Sequence, residues 1–336
     1  MEEPIDPGLP VIDSHHHLFD RASDGLYRHV RRRRFLLDEY LEFLGDGHNV
    51  VASVLLQARS MYRADGPEEM KPIGETEFFN GQAAMAASGL YGRCLVGAGI
   101  VGFADLRLGD DVHRVLEGQM AAAPGRFKGV RQEALWDVDP TVLSDRFTAG
   151  PRMYFRDDFR RGLAQLAPLG LSFDAFVLGP QLADVVDLVL SFPETQFVLN
   201  HLGNPVGIGV RKGRLEEEYP HWRRDMAEIA RCPNVVVKLG GLGSFLSGSP
   251  TYRSDPPADS ATLAVEWKPY AESAVELFGA DRCMFESNVP TDGSGSFTTV
   301  CNAYKRIVAG CSEHERRQIF AGTAARIYKL DVPGVN

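Results

Sequence analysis

Eight short apolar runs recur along the chain, at residues 11–15, 50–56, 95–101, 127–131, 171–176, 196–200, 235–239 and 282–286. Short β-branched runs of this kind read as strands buried on both faces. Between them lie segments with helical spacing. Leu37, Tyr40, Leu41 and Leu44 form one stripe at i, i+3, i+4 and i+7, which Gly45-Asp46-Gly47 terminates. Residues 111–122, 157–167, 181–191, 220–231 and 263–278 read as helices on the same grounds. Ser312-Glu313-His314-Glu315 has the spacing of a capping box and opens a last helix that runs through Phe320. Strands alternating with helices pair in parallel through right-handed crossovers. Eight such units in 336 residues predict an α/β fold, a (β/α)8 TIM barrel, with residues 1–336 as a single domain. A doubly wound sheet is the competing architecture, but it carries a glycine-rich phosphate turn after its first strand. Here the first strand runs into three histidines.

Composition narrows the partners. A net charge of −9 argues against a nucleic-acid surface, because phosphate binding needs a basic face. With 44% hydrophobic and 24% charged residues, wholesale disorder is excluded. Arg31-Arg32-Arg33-Arg34 is one short basic run, read as a solvated approach to the helix at Leu37. No apolar run approaches the roughly 18–20 residues that cross a bilayer. Met1-Glu2-Glu3-Pro4 lacks the basic and apolar regions of a signal peptide. Cys94, Cys232, Cys283, Cys301 and Cys311 are odd in number, far apart and without a CxxC pair, which indicates neither a disulfide framework nor a zinc ribbon. The expectation is a cytoplasmic protein with a small-molecule substrate, no nucleic acid and no membrane, as a monomer or a homo-oligomer.

The chemistry concentrates in Asp13-Ser14-His15-His16-His17. On a regular strand Asp13, His15 and His17 share one face and His16 takes the other, packed in the barrel wall. At the C-terminal end of a barrel strand the first face looks into the mouth, where barrel active sites lie. Two imidazoles there can hold a divalent ion or polarise a carbonyl.

This Asp-x-His-x-His ending resembles the amidohydrolase superfamily (amidohydrolase 2 type), whose members are (β/α)8 hydrolases. Three further segments are similar to its lactonase branch, which includes sugar-lactone hydrolases and pyrone-dicarboxylate lactonases. They are Phe197-Val198-Leu199-Asn200-His201-Leu202-Gly203-Asn204-Pro205, Val235-Val236-Val237-Lys238-Leu239-Gly240-Gly241 and Arg282-Cys283-Met284-Phe285-Glu286-Ser287-Asn288-Val289-Pro290. The resemblance places His15, His17 and His201 at the family's histidine positions. Strand eight departs from the pattern, because Asn288 stands where the family has the aspartate that activates water. An asparagine cannot accept a proton at neutral pH. Glu286 lies two residues earlier on the same strand face, one pleat deeper. It is expected to supply the missing carboxylate as metal ligand, general base or both; a buried ion pair with Lys238 is the alternative. Near its reference pKa of about 4.3 such a base is ionised without any shift.

Binuclear members of the superfamily bridge their metals through a carbamylated lysine at the end of strand four. Lys128-Gly129-Val130-Arg131-Gln132 ends in arginine instead, which speaks against a lysine-bridged pair. One zinc or manganese on His15, His17, His201 and Glu286 has suitable ligand chemistry, three nitrogens and a carboxylate. The lactonase branch is also similar to proteins that work without tight metal. Arg131, Arg59, Arg63 and Lys238 follow or lie on strands at the mouth and are candidates for binding a substrate carboxylate. Loops 132–153, 205–218 and 242–263 are long and are expected to shape the pocket. Gly240-Gly241-Leu242-Gly243 reads as backbone crowding near the mouth rather than a nucleotide loop.

The expected activity is opening of a lactone that bears carboxylate or hydroxyl groups. His15, His17 and His201, with or without a metal, stabilise the oxyanion or position water. Glu286 takes the proton and returns it to the leaving alkoxide, and Asn288 orients the water or the ring oxygen. The alternatives are an amide hydrolase, a metal-dependent decarboxylase of aromatic acids, and a barrel that binds without turnover.

Overall fold

The computed structural model describes residues 2–20, 34–45, 47–143 and 148–335. All eight apolar runs are strands: β1 (Pro10–His16), β2 (Asn49–Leu56), β3 (Leu95–Gly102), β4 (Phe127–Glu133), β5 (Ser172–Phe176), β6 (Phe197–Leu199), β7 (Val235–Leu239) and β8 (Cys283–Phe285). Each pairs in parallel with the next, in chain order from first to last. The seam between β1 and β8 is held by single bonds just past the regular pairing. Asn288 N donates to His15 O at 2.9 Å, His17 N to Val289 O at 2.9 Å and Ser14 Oγ to Phe285 O at 2.7 Å. The sheet thereby closes into a (β/α)8 barrel.

Alternation along the strands builds two cores. Ile12, Ala52, Val54, Leu56, Val101, Val198, Val236 and Met284 fill the barrel, where Tyr328 and Leu330 of the C-terminal segment join them. Val11, Leu55, Ile100, Val130, Phe173, Phe197, Val235 and Phe285 face the helices. Those helices are α1 (Leu37–Leu44), α2 (Ile73–Ala87), α3 (Val112–Ala122), α4 (Asp157–Leu163), α5 (Leu182–Ser191), α6 (Leu215–Ala230), α7 (Ser260–Phe278) and α8 (Phe297–Ile307).

Two of them, α2 and α8, go beyond the sequence reading. Helix α2 is rich in alanine with two glycines, so it shows no single apolar stripe. It packs closely instead: a Cβ at Gly74 would lie 2.5 Å from Met61 O. Helix α8 does carry a stripe, Phe297, Val300, Cys301 and Tyr304, all buried, and Ser296 caps it by accepting from Thr299 N at 3.2 Å. Helix α6 starts at Leu215, before Pro220; Glu216, Glu217 and Glu218 in its first turn complement the helix dipole. The capping box forms, with Ser312 N donating to Glu315 Oε2 at 2.7 Å and Glu315 N to Ser312 Oγ at 3.3 Å.

No helix among the described residues is long and apolar enough to cross a membrane, and all five cysteines are free thiols. Arg31, Arg32 and Arg33 lie outside the described residues; Arg34 Nε is 3.2 Å from Glu39 Oε1 at the start of α1. Over the mouth, Leu135, Val142, Leu178, Val206 and Leu246 form a small separate apolar cluster. It joins the segments after β4, β5, β6 and β7.

Candidate active site

The register of β1 against β2 slips between Asp13 and His16, and this irregularity divides the histidine motif. His16 stacks on Tyr40 of α1 with ring centroids 3.8 Å apart, and its Nε2 lies 2.8 Å from Ser53 Oγ. Asp13 is on the same side, accepting from Tyr40 OH at 3.0 Å, Ser287 N at 2.9 Å and Ser287 Oγ at 2.6 Å. Strict alternation would have put Asp13 beside His15. The extra residue in the strand overturns that expectation and makes Asp13 a clamp across the β1–β8 seam.

His15 and His17 face the mouth with their Nε2 atoms 3.2 Å apart. Hydrogen-bond chemistry assigns their tautomers. His17 Nδ1 can only donate to Leu56 O, at 3.0 Å, so its Nε2 carries a lone pair. Arg131 Nη1 can only donate to His15 Nε2, at 3.1 Å, which leaves the His15 proton on Nδ1. Two lone pairs at this distance repel unless a cation lies against them. The Arg131 guanidinium meets that condition.

Glu286 closes the cluster. Its Oε2 is 2.9 Å from His15 Nδ1 and its Oε1 is 2.6 Å from His201 Nδ1, so one carboxyl spans two imidazoles. One pleat of depth is therefore no obstacle. The Gly240-Gly241 pair makes this approach feasible. A Cβ on Gly240 would fall 2.1 Å from Glu286 Cγ, and one on Gly241, at φ +74°, would fall 2.3 Å from His201 Cβ. His201 sits in a left-handed turn after β6, with φ +55° followed by +54° at Leu202.

Lys238, also fully buried, pairs with Asp174 Oδ2 at 2.8 Å rather than with Glu286. Tyr328 OH and Asn200 Nδ2 donate to the same oxygen at 2.9 and 3.0 Å. The Lys238 ammonium is 3.5 Å from His15 Nδ1, below the histidines rather than at the mouth. Asp174 escaped sequence reasoning. A lone carboxylate inside the apolar strand Ser172-Phe173-Asp174-Ala175-Phe176 was the signal that could have found it.

The arginines are engaged. Arg131 is 2% exposed; Nη2 donates to Gln57 O at 2.6 Å and the guanidinium lies over the Phe176 ring at 5.1 Å. It is not an open fork for a carboxylate. Arg59 pairs with Glu133 at 2.8 Å, and Arg63 Nε with Glu77 at 3.2 Å. Asn288, at φ +52°, donates through Nδ2 to Asp292 Oδ1 at 2.7 Å.

Burial drives the imidazoles of His15, His17 and His201 well below the usual histidine range, and nearby Arg131 and Lys238 act in the same direction. They are neutral at pH 7. Burial pushes Glu286 up to about 8, against the pull of Lys238 and Arg131. The expectation of a base ionised without any shift is thus corrected: removing the carboxylate from water costs more than the two cations return.

Glu75 anchors the loop that carries Arg59. Its Oε1 accepts from Ala58 N and Ser60 N, both at 2.8 Å, while Oε2 is buried with no partner among the described residues. Burial raises its pKa from 4.5 to about 8. Between those values the folded protein keeps a proton that the unfolded chain has lost, so this group's contribution to stability falls as pH rises. Glu75→Gln keeps the accepting oxygen and removes the titration. It is expected to add on the order of 3 kcal/mol at pH 8.5, a gain that vanishes near pH 4. Urea unfolding at the two pH values measures it; an equal difference at both would show that Glu75 stays ionised.

The donor set suits a divalent ion. His15, His201 and Glu286 each bring a ligand atom within 4.8 Å of the others, and the His17 Nε2 lone pair adjoins them. Neutral imidazoles are the form that ligates.

The chain matches the amidohydrolase family over residues 12–330. It is 30% identical to the uncharacterized protein y4mH of Sinorhizobium fredii, over 96% of this chain and 99% of that one. It is 28% identical to L-fucono-1,5-lactonase of Burkholderia multivorans, over 97% and 98%. Among solved structures, an amidohydrolase from Burkholderia multivorans with bound zinc is 27% identical, with a TM-score of 0.72 over 96% of this chain and 99% of that chain.

Proposed function

Since the chain belongs to the amidohydrolase family and is a hydrolase, we propose that its reaction is the opening of a lactone by water at the Glu286 cluster. The observation that carries this reading is the buried Glu286 carboxyl, hydrogen-bonded through Oε1 to His201 Nδ1 at 2.6 Å with Oε2 lying 2.9 Å from His15 Nδ1. Similarity to L-fucono-1,5-lactonase supports a cyclic ester as the substrate.

Opening a lactone requires a base for water, a donor to the tetrahedral oxyanion and a proton for the leaving alkoxide. Glu286 serves the first and third needs. A carboxyl pushed up to about 8 accepts a proton readily when ionised and gives it back to an alkoxide. The Arg131 guanidinium, which donates to His15 Nε2, supplies fixed positive charge beside the histidines that stabilises a developing oxyanion. The neutral His201 positions the Glu286 carboxyl through Oε1, His15 lies against its other oxygen, and burial excludes bulk water. A zinc or manganese ion held by His15, His17, His201 and Glu286 would supply Lewis acidity at the carbonyl.

A panel of lactones, linear esters and amides in weakly buffered indicator dye tests the reading, since hydrolysis releases acid. Opening of at least one lactone ~10⁶-fold above its spontaneous rate is expected. Acid release from amides alone would replace the lactone with an amide substrate. Repeating the assay after chelation, with metal content read by plasma mass spectrometry, tests the metal. Loss of one equivalent of metal together with turnover supports its role, and full turnover in metal-free protein removes it.

A further inference from the structure

At the end of the barrel opposite the histidines, the segment that leads into β1 meets the last turn of α8 and a short helix, α9 (Glu313–Arg317). The cleft between them has a volume of about 530 Å³, and its lining includes Asp6, Leu9, Lys305, Glu313, Arg316 and Arg317. Three of these are cations, and none of the three forms an ion pair among the described residues. Lys305 is 3% exposed; its ammonium donates to Ile5 O and Asp6 O, both at 2.8 Å, and to His48 Nδ1 at 3.0 Å. All three acceptors are uncharged, so its protons are satisfied while its charge is not. Arg316 donates through Nη1 to Cys311 O at 3.5 Å, a long bond, and its Nε is buried without a partner among the described residues. Arg317 donates through Nη2 to Gly334 O at 3.3 Å, again to a neutral carbonyl. Asp6 and Glu313 line the same cleft but lie beyond ion-pair distance of these groups, which leaves it one positive charge in excess in a chain of net charge −9.

A buried cation is costly unless a negative charge compensates it, and a guanidinium Nε–H can only donate. Both features call for an anion in the cleft. Guanidinium forks fit carboxylate and phosphate alike, but the number of cations separates the two. A carboxylate brings one charge, whereas a phosphoryl group carries about −1.5 to −2 at neutral pH together with three strong acceptor oxygens. The cleft falls within the roughly 300–1,000 Å³ of small-molecule pockets, so there is room for more than the phosphoryl group itself. We infer that Lys305, Arg316 and Arg317 form a second binding site, remote from the reaction centre, for a phosphate group, either free or carried by a small metabolite. The two arginines supply hydrogen bonds to its oxygens, and Lys305 supplies charge from the wall behind them. The site does not depend on which ring the enzyme opens.

Inorganic phosphate and glycerol 3-phosphate are titrated into the full-length protein by calorimetry at fixed ionic strength, with chloride as the reference. Saturable binding with a Kd of ~1 mM or below is expected. Tighter binding of glycerol 3-phosphate identifies a phosphorylated metabolite as the ligand, and tighter binding of inorganic phosphate identifies the free ion. Heats no different from chloride, or binding of citrate in place of either phosphate, overturn the site. Arg316→Gln and Arg317→Gln are each expected to weaken phosphate binding about tenfold or more, since each removes a charged donor. Phosphate bound equally well by the double variant sits elsewhere and overturns the assignment. A measurement on the wild-type protein decides even if a variant fails to fold. Phenylglyoxal modifies accessible arginines, and mass spectrometry of the peptides follows Arg316 and Arg317. At about 10 mM phosphate and a Kd of ~1 mM, their modification should slow about tenfold by mass action. An unchanged rate at both arginines overturns the site.

Discussion

Glu286→Gln is expected to lower kcat/KM for lactone opening by ~10³-fold, within the 10²–10⁴ range for losing a positioned general base. The substitution keeps the shape of the side chain and an oxygen for one imidazole. What it removes is the capacity to take a proton from water and return it to the alkoxide. The thermal midpoint should stay close to wild type or rise, since a fully buried carboxyl is exchanged for a neutral amide. Turnover within about tenfold of wild type, in folded protein, would move the base elsewhere. The nearest other carboxyl on that strand end is Asp292, which is bonded to Asn288.

The second large effect is on stability. Lys238→Met removes the partner of Asp174 from a site where both side chains have no solvent exposure. Tyr328 and Asn200 still donate to the carboxylate, but its charge is left uncompensated. Breaking a buried pair in this way costs about 3–5 kcal/mol, and the midpoint is expected to fall by roughly 5–10 °C. Adding Asp174→Asn should recover most of the loss, because the double variant leaves no unpaired charge at that pair. Chemical unfolding of the two single variants and the double variant gives the coupling energy. A Lys238→Met loss below about 1 kcal/mol would show that the pair is not what holds the barrel centre together.

The eight strands were legible because each is a short apolar run, and a parallel strand buried on both faces needs little else. Most helices with one apolar stripe were legible from that stripe, although α8, striped by Phe297, Val300, Cys301 and Tyr304, was not read. Helix α2 was not legible: its packing relies on glycine and alanine letting backbones approach, which leaves no periodic signal. At the candidate site, His15, His17, His201 and Glu286 were named from residue type and resemblance, and the structure brings them within contact of one another. The orientation of Asp13 was misjudged, because strict alternation assumes a regular strand and β1 slips in register inside the motif. The arginines near the mouth were named as candidates for a substrate carboxylate; that their carboxylate and carbonyl partners come from distant strands and loops was not legible.

The sequence by itself therefore determined the barrel, the family and the residue types at its mouth, since these follow from local patterns of polarity and short motifs. Only the tertiary structure decided which charges meet. That Lys238 pairs with Asp174 rather than Glu286, that Arg131 turns toward His15, and that Asn288 is held by Asp292 depend on side chains from different strands meeting at ångström distances. Charge pairing and desolvation inside a barrel are set by those distances, and spacing along the chain carries no record of them.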